Sequence, residues 1–318
     1  MVETFVSIAD INIRITSEKS PTPETSYQYR YQHFLLKKRP RRVDIDLDLE
    51  ILACYRFFKS RELFRTERDA PRFTGSRSED YKTLTRAERR YLRSGLDWRI
   101  SEMGKRYLIE GGTAGKYQLL MNGSLDRGRV FIINDKGEWK VTDVVFGFLQ
   151  VLIIYYLAKH QLGLLFHSSG LWDGNHGYLF SGLSGAGKST TSRIWDAIPG
   201  VRILNDDRII VRRDKGRLYM YPTPWHGDYS EYLREGRVAR ARLSKLFYIY
   251  HHKTNHAERV SAVEGFNHFI KALFVSFWDK DCLKFSFDYL LDLFEDKPCY
   301  KFGFKNDARI IRYVRNLK

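Results

Sequence analysis

The stretch HGYLFSGLSGAGKSTTSRIW occupies residues 176–195 and predicts an apolar strand, a glycine-rich loop and a helix. The loop satisfies the pattern G-x-x-x-x-G-K-[ST] with Gly182, Gly187, Lys188 and Ser189. Glycines let such a loop wrap a phosphate, so that backbone N–H groups and the helix N-terminus can donate to its oxygens. The lysine reaches the β and γ phosphates, and the hydroxyl ligates magnesium. The stretch therefore predicts a P-loop that binds a nucleoside triphosphate.

The residues predicted to contact the nucleotide form one continuous loop and helix start. They are Gly182, Leu183, Ser184, Gly185, Ala186, Gly187, Lys188, Ser189 and Thr190. The predicted cofactors are ATP and Mg²⁺, and GTP is not excluded because no adenine-reading motif is recognisable.

Two adjacent carboxylates, Asp206 and Asp207, directly follow the next predicted strand, VRILN. Asp206 lies 18 residues after Lys188. One carboxylate can hold magnesium, while the other orients or deprotonates an acceptor hydroxyl. We predict that Asp207 ligates the metal with Ser189 and that Asp206 acts as the base, although the two roles can be exchanged. An Asp-Asp pair at a strand end also occurs as a simple turn.

Further candidates lie on either side of this pair. His167 is predicted to end the strand before the P-loop strand, at the same carboxyl edge of the sheet, and to support catalysis. The alternative is a histidine that is satisfied within the core. The loop from Thr223 to Asp228 combines a proline, a tryptophan, His226 and a carboxylate. His226 and Asp228 are candidate site residues if this loop is more than a turn that stabilises the fold.

The remaining pattern predicts two domains, an α+β domain over residues 1–140 and a P-loop kinase domain over residues 141–318. In the first, the alternation in RVDIDLDLE predicts a strand, and KYQLLMN and RVFIIND predict two more, the last turning into an EWKVTD strand. In the second, helices are predicted over about 144–160 and 263–278, near 287–294 and after 307.

Composition limits the class of protein. With 43% hydrophobic and 29% charged residues, the chain is expected to be compact. Three widely spaced cysteines indicate neither a disulfide framework nor a zinc site, which fits a cytoplasmic protein. The apolar run at 144–158 is short for a membrane span, and no span is expected. The net charge of +16 keeps RNA or another polyanion open as a partner.

A basic helix is predicted near residues 85–94, where Thr85 and Glu88 form a capping box. Its exposed face carries four arginines, namely Arg86, Arg89, Arg90 and Arg93. This face is either solvated surface or part of substrate recognition by the first domain.

The segment HSSGLWDGNHGYLFSGLSGAGKSTTSRIW, followed by GVRILNDD, resembles the HPr kinase/phosphorylase superfamily over about residues 160–230. Members of that superfamily place a histidine before the P-loop strand and an Asp-Asp pair after it, as His167 and Asp206-Asp207 stand here. The resemblance implies the α/β fold of the HPr kinase C-terminal domain, shared with ATP-dependent phosphoenolpyruvate carboxykinase.

The TPWHG loop is similar to a branch of HPr-kinase-like proteins with a different N-terminal domain, some of them associated with peptide-modifying gene clusters. That similarity implies an ATP- and magnesium-dependent serine kinase acting on a peptide or protein. The wider resemblance to HPr kinases, which are often hexameric, implies a homo-oligomer. The chain lacks the R-G-x-G-I signature of true HPr kinases, which argues against HPr as the acceptor.

Three alternatives remain open at this point. One is a kinase acting on RNA, a sugar or another small molecule, and another is a non-catalytic module that senses the nucleotide. The third is an adenylylsulfate kinase, because the segment GLSGAGKSTT of this chain is similar to the P-loop of those enzymes. Those enzymes continue with an L-D-G-D motif at longer spacing, whereas this chain has LNDD and then a hairpin.

Overall fold

The computed structural model describes residues 1–24, 28–53, 56, 58–65, 98–111, 116–229, 231–235 and 239–317. They form a mixed α/β structure with two large sheets in two compact units, Met1–Tyr156 and Leu157–Lys318. Within these ranges, no helix is long and apolar enough to cross a membrane. The basic helix predicted near residues 85–94 lies outside the described ranges.

The first unit is built around an eight-stranded sheet with the order β1-β2-β3-β8-β7-β6-β5-β4. The strands are β1 Val2–Ile8, β2 Ile11–Ser17, β3 Ile45–Leu52, β4 Arg61–Arg65, β5 Trp98–Met103, β6 Arg106–Gly111, β7 Tyr117–Asn122 and β8 Arg127–Ile133. Strands β2, β3 and β8 pair in parallel, and the other neighbours are antiparallel.

The acidic strand predicted from RVDIDLDLE is confirmed as β3. Ile45, Leu47 and Leu49 are buried, while the acidic side chains alternate with them. Asp46 accepts a hydrogen bond from Arg14 Nε on the neighbouring strand at 2.8 Å. This carboxylate therefore has a basic cross-strand partner and stabilises the pairing of β2 with β3 on the surface of the sheet.

The EWKVTD strand prediction is wrong. Within the described residues, the short helix α1 Gln28–Tyr31 is followed by α2 Val141–Val145. It begins there because the Asp143 carboxylate accepts a hydrogen bond from the Lys140 backbone N–H at 2.7 Å, an arrangement that caps a helix. A bend at residues 146–148 separates α2 from α3 Leu149–Lys159, where one helix was predicted.

The second unit contains a nine-stranded sheet with helices around it. Its strands are β9 Gly163–Asp173, β10 His176–Ser181, β11 Val201–Asn205, β12 Arg208–Asp214, β13 Arg217–Pro222, β14 Ala241–His251, β15 His256–Val260, β16 Leu273–Phe274 and β17 Cys299–Phe304. Its helices are α4 Lys188–Asp196, α5 Ala262–Phe269, α6 Lys280–Asp296 and α7 Arg309–Asn316. The helix predicted over 263–278 is shorter because the chain turns at 270–272 and forms β16.

The long strand β9 changes partners halfway along its length. Residues 163–167 pair with β12, whereas residues 168–173 pair with β10 on one side and residues 170–173 pair with β11 on the other. All of these pairings are antiparallel, and β14 pairs in parallel with β10 and β17. The point where β9 changes partners lies beside the end of β10, because Ser168 is in register with Ser181.

This geometry corrects the reason for expecting His167 near the P-loop. The residue does not end its strand, which continues to Asp173, and β9 runs antiparallel to β10. His167 nevertheless lies near the end of β10 because the antiparallel register puts the middle of β9 there. Two apolar clusters hold the elements in place, with Trp195 of α4 buried in one and Phe269 of α5 in the other.

Candidate functional site

The glycine-rich loop joins β10 to α4, as the sequence predicts. Gly185 and Gly187 have φ of +79° and +101°, which favours glycine, and residues 183–185 are exposed. A Cβ on Gly182 would lie 2.7 Å from the Ile249 carbonyl oxygen, and one on Gly187 would lie 2.6 Å from the Phe304 ring. The loop therefore needs glycine both for its backbone conformation and for its close packing on β14 and β17.

Lys188 is the first residue of α4, and its side chain is only 8% exposed. Its Nζ donates to the carbonyl oxygens of Gly182 and Leu183 at 3.0 and 3.4 Å. Burial lowers the pKa of this ammonium, and the charges of Asp207 and Asp206 act in the opposite direction. A buried cation thus lies inside the glycine-rich loop with backbone carbonyls as its hydrogen-bond partners.

Asp206 is the more buried of the two adjacent carboxylates, at 1% exposure. Its Oδ1 and Oδ2 accept from the backbone N–H groups of Gly227 and Tyr229 at 2.8 and 3.1 Å. Burial, followed by the charge of Asp207, raises its pKa to about 7. The same contacts explain Gly227, since a Cβ there would lie 2.7 Å from Asp206 Oδ2. Asp206 therefore anchors the loop after β13.

Asp207 faces solvent more than its neighbour, with 22% of its side chain exposed. Arg208 Nη1 donates both to the Asp207 carboxylate and to His167 Nδ1, the latter at 2.7 Å. Burial lowers the pKa of His167 to about 4. Because the guanidinium can only donate, Nδ1 accepts and the ring is neutral, so its 3.2 Å contact with Asp207 Oδ1 is not an ion pair.

Asn205 and Arg208 also belong to this cluster, although the sequence motifs do not single them out. Asn205 is fully buried; its amide donates to the carbonyl oxygens of Thr223 and Trp225, and its Oδ1 accepts from the N–H groups of Asp207 and Arg208 at 2.8 Å. It fixes both the turn that carries the aspartates and the loop that covers them. The sequence signal for both is the polar run NDDR at a strand end, whose middle two residues are the predicted aspartates.

The structure therefore brings His167, Lys188, Asp206 and Asp207 together around the end of β10. The loop at 223–228 joins them through its backbone, because Gly227 binds Asp206. His226 is half-buried, with Nδ1 3.1 Å from the Gly227 carbonyl oxygen, and Asp228 is exposed.

The residues fit a triphosphate with magnesium in their chemistry. The buried Lys188 ammonium hydrogen-bonds to backbone carbonyls, and the glycine backbone needed for close approach of a phosphate is present. Across the described ranges, no group of three or more His, Cys, Asp or Glu residues could hold a metal by itself. Magnesium commonly takes only one or two carboxylates and completes its shell with phosphates and water. Ser189 and Asp207 remain the groups that the sequence predicts to hold it.

Comparisons with known proteins add little to this geometry. No family model matches the chain, and no curated protein does. Among solved structures, the Hpr(Ser) kinase/phosphatase from Coxiella burnetii aligns with 14% identity over 30% of this chain and 72% of that one, with a TM-score of 0.23. A TM-score this low does not establish a shared fold.

Proposed function

We propose that the second unit is a kinase core that binds ATP with magnesium and transfers the γ-phosphoryl group to a hydroxyl. The observation that carries the proposal is the buried Lys188 ammonium, which lies inside a glycine-rich loop at the start of α4. Burying a cation is costly unless it is paired. A phosphate bound in the loop would supply the anion that its carbonyl partners cannot.

In this proposal the loop amides and Lys188 hold the phosphates, with contributions from the start of α4 at Ser189 and Thr190. Magnesium, when bound by Ser189 and Asp207, would neutralise charge on the phosphate oxygens. Phosphoryl transfer needs little covalent help from the protein, because positioning and charge neutralisation supply most of the rate. The site is suited to that task because its charged groups are held by short, buried contacts.

The two aspartates receive different roles from their surroundings. Asp207 is the carboxylate that faces solvent, so it can contact both magnesium and an acceptor hydroxyl. Asp206 is covered by the loop at 223–228, and both its oxygens accept backbone hydrogen bonds. We therefore assign Asp206 to positioning that loop, although a base was expected there. Arg208 orients Asp207 by donating to its carboxylate, and the neutral ring of His167 holds Arg208 by accepting from it.

The acceptor that we propose is a serine of a peptide or protein, on the basis of the sequence resemblance. The test is to incubate the protein with γ-labelled ATP and separate pools of serine-containing peptides, RNA oligonucleotides and small hydroxyl metabolites. We expect label in the peptide pool for the parent protein and none for Lys188→Ala.

Transfer to RNA or a metabolite alone would keep the kinase and change its acceptor. ATP binding without transfer to any pool, under conditions where the parent is folded, would instead support a nucleotide-sensing module. Equal labelling of peptides by the parent and Lys188→Ala would contradict the proposed site.

A further inference from the structure

A cleft of about 650 Å³ opens at one end of the second sheet. The turn after β14, the chain after β17 and helix α7 line it. Four of its lining residues are cationic, namely Lys253, Lys305, Arg309 and Arg312, and none is acidic. The site described above uses none of these residues.

Most of this positive charge is not neutralised by the protein. Arg309 Nη2 donates to Asp307 Oδ2 at 2.6 Å. For the other three cations, no carboxylate partner is recorded in the described part of the chain, and all three are exposed. Arg312 is held toward the cleft side of α7 because Ile311 and Val314 are buried on the other. Like charges gathered around one concave surface create a local positive potential that attracts an anion.

Residues close in sequence to two of the cleft lysines contact the glycine-rich loop. His251 Nε2 lies 2.9 Å from the Gly185 carbonyl oxygen, and the Phe304 ring packs where a side chain on Gly187 would stand. Lys305 follows Phe304 directly, and Lys253 lies two residues after His251. A ligand bound by these lysines would therefore lie next to the loop that we propose to hold the phosphates.

We propose that this cleft binds an acidic segment of the peptide or protein acceptor and so holds that acceptor beside the glycine-rich loop; the inference rests on the proposed function. Carboxylates of aspartate and glutamate match the exposed lysines and arginines. A concave surface of this volume accommodates a short peptide segment rather than a folded domain.

The lining favours a peptide over single-stranded RNA. Sites for single-stranded nucleic acid present aromatic faces on which bases stack. The aromatic ring of this lining belongs to Tyr313, which already stacks on Phe302 with ring centroids 5.7 Å apart. Its hydroxyl accepts a hydrogen bond from the Ala257 N–H at 2.9 Å. The cleft therefore offers charge without a free stacking surface.

The test uses equilibrium binding without nucleotide. The probes are a fluorescein-labelled peptide that alternates glutamate with serine, the same peptide with glutamine for glutamate, and a labelled oligouridylate RNA. The cleft variant combines Lys253→Glu, Lys305→Glu and Arg312→Glu. The matched control combines Arg217→Glu, Lys271→Glu and Lys280→Glu, which change the net charge equally at exposed positions elsewhere in the same unit.

We expect the parent to bind the glutamate peptide more tightly than the glutamine peptide, and its affinity to fall as salt rises. The cleft variant should bind the glutamate peptide about tenfold more weakly or worse, and the control should match the parent. A second cleft variant, Lys253→Gln with Lys305→Gln and Arg312→Gln, covers the case in which charge reversal prevents folding, which thermal unfolding would show.

Equal loss of peptide affinity in the cleft and control variants would overturn the inference, as would failure of the parent to prefer the glutamate peptide. Tighter, cleft-dependent binding of the RNA would also overturn it, in favour of a nucleic acid. A loss of Mg·ATP affinity in the cleft variants would assign the cleft to the nucleotide instead. These results are separate from failure of the proposed function, which would appear as ATP binding that Lys188→Ala leaves unchanged.

Discussion

Glu110 in the first unit and Asp206 in the second are both buried carboxylates, but their hydrogen-bond partners differ. In the first unit, Glu110 Oε2 accepts from Arg99 Nε across neighbouring strands at 2.7 Å, and Gln118 donates to its other oxygen. In the second unit, Asp206 accepts from backbone N–H groups, and a second carboxylate follows it in the chain. Burial raises the pKa of both groups.

The different surroundings of Glu110 and Asp206 indicate different roles for the two carboxylates. The Glu110 carboxylate has its hydrogen-bond partners on neighbouring strands of its own sheet. Around Asp206, buried and half-buried ionisable groups from separate elements converge beside a glycine-rich loop. Such clusters of ionisable groups with shifted pKa values occur more often at functional sites than elsewhere. The comparison therefore favours the second unit as the location of an active site.

The largest expected effect separates the two aspartates. Asp207→Asn should lower phosphoryl transfer by about 10²- to 10⁴-fold with little change in ATP affinity, because it removes the solvent-facing charge at nearly constant shape. Asp206→Asn should lower transfer much less, since that side chain acts through the loop at 223–228. Steady-state rates and ATP titrations of both variants provide the measurement. A larger loss for Asp206→Asn would restore the base role to that residue.

A smaller effect is expected from the glycine-rich loop. Gly187→Ala should weaken Mg·ATP binding by about tenfold, because the new methyl group meets Phe304 and the left-handed backbone is strained. Gly200→Ala is the matched control, with φ of +84° and nothing within 4 Å of its Cβ position. Both variants should lose some thermal stability. Equal ATP affinity in the two would mean that the loop does not approach the phosphates.

The raised pKa of Asp206 predicts how stability changes with pH. Between its usual pKa of 3.8 and about 7, the folded chain keeps a proton that the unfolded chain releases. The stability of the parent relative to Asp206→Asn should therefore fall as pH rises from about 4 to 7 and then level off, by at most about 4 kcal/mol. Urea unfolding of both proteins without magnesium measures this. A difference that is constant with pH would contradict the assignment.

The smallest expected effect concerns the first unit. Glu110→Gln should leave ATP binding and phosphoryl transfer unchanged, because the Arg99 pair serves the sheet alone. Its measurable consequence should be a change in the urea midpoint of unfolding. A fall in transfer comparable with that of Asp207→Asn would place part of the active site in the first unit. It would contradict the purely structural role assigned to Glu110.

The sequence was sufficient for the local elements and insufficient for the long-range ones. Strand β10, the loop and α4 follow from a pattern within 20 residues, and the hairpin predicted after LNDD is confirmed as β12 and β13. Strands β15 and β17 were not predicted, because they are short and are defined by pairing with distant strands. Helix α2 was missed because a single capping carboxylate outweighed the alternating pattern.

The same limit applies to the candidate site. Lys188 and the two aspartates could be named from local motifs. The role of Arg208 depends on the register that pairs it with His167 across β9 and β12, and no local pattern gives that register. Asn205 and Gly227 matter because two loops distant in sequence meet at Asp206. Contacts of this kind join segments that are distant in sequence, so they depend on how the strands pair and cannot be predicted from a local pattern.

The central claim is that the glycine-rich loop binds the phosphates of ATP through Lys188, and calorimetric titration of Mg·ATP tests it most directly. Lys245 is the matched control, since it also donates to backbone carbonyls in the second unit and burial also lowers its pKa. We predict one ATP per chain for the parent and Lys245→Ala, and an affinity about 100-fold lower or undetectable for Lys188→Ala. Equal ATP affinity in all three proteins, or no binding to the folded parent, would contradict the account.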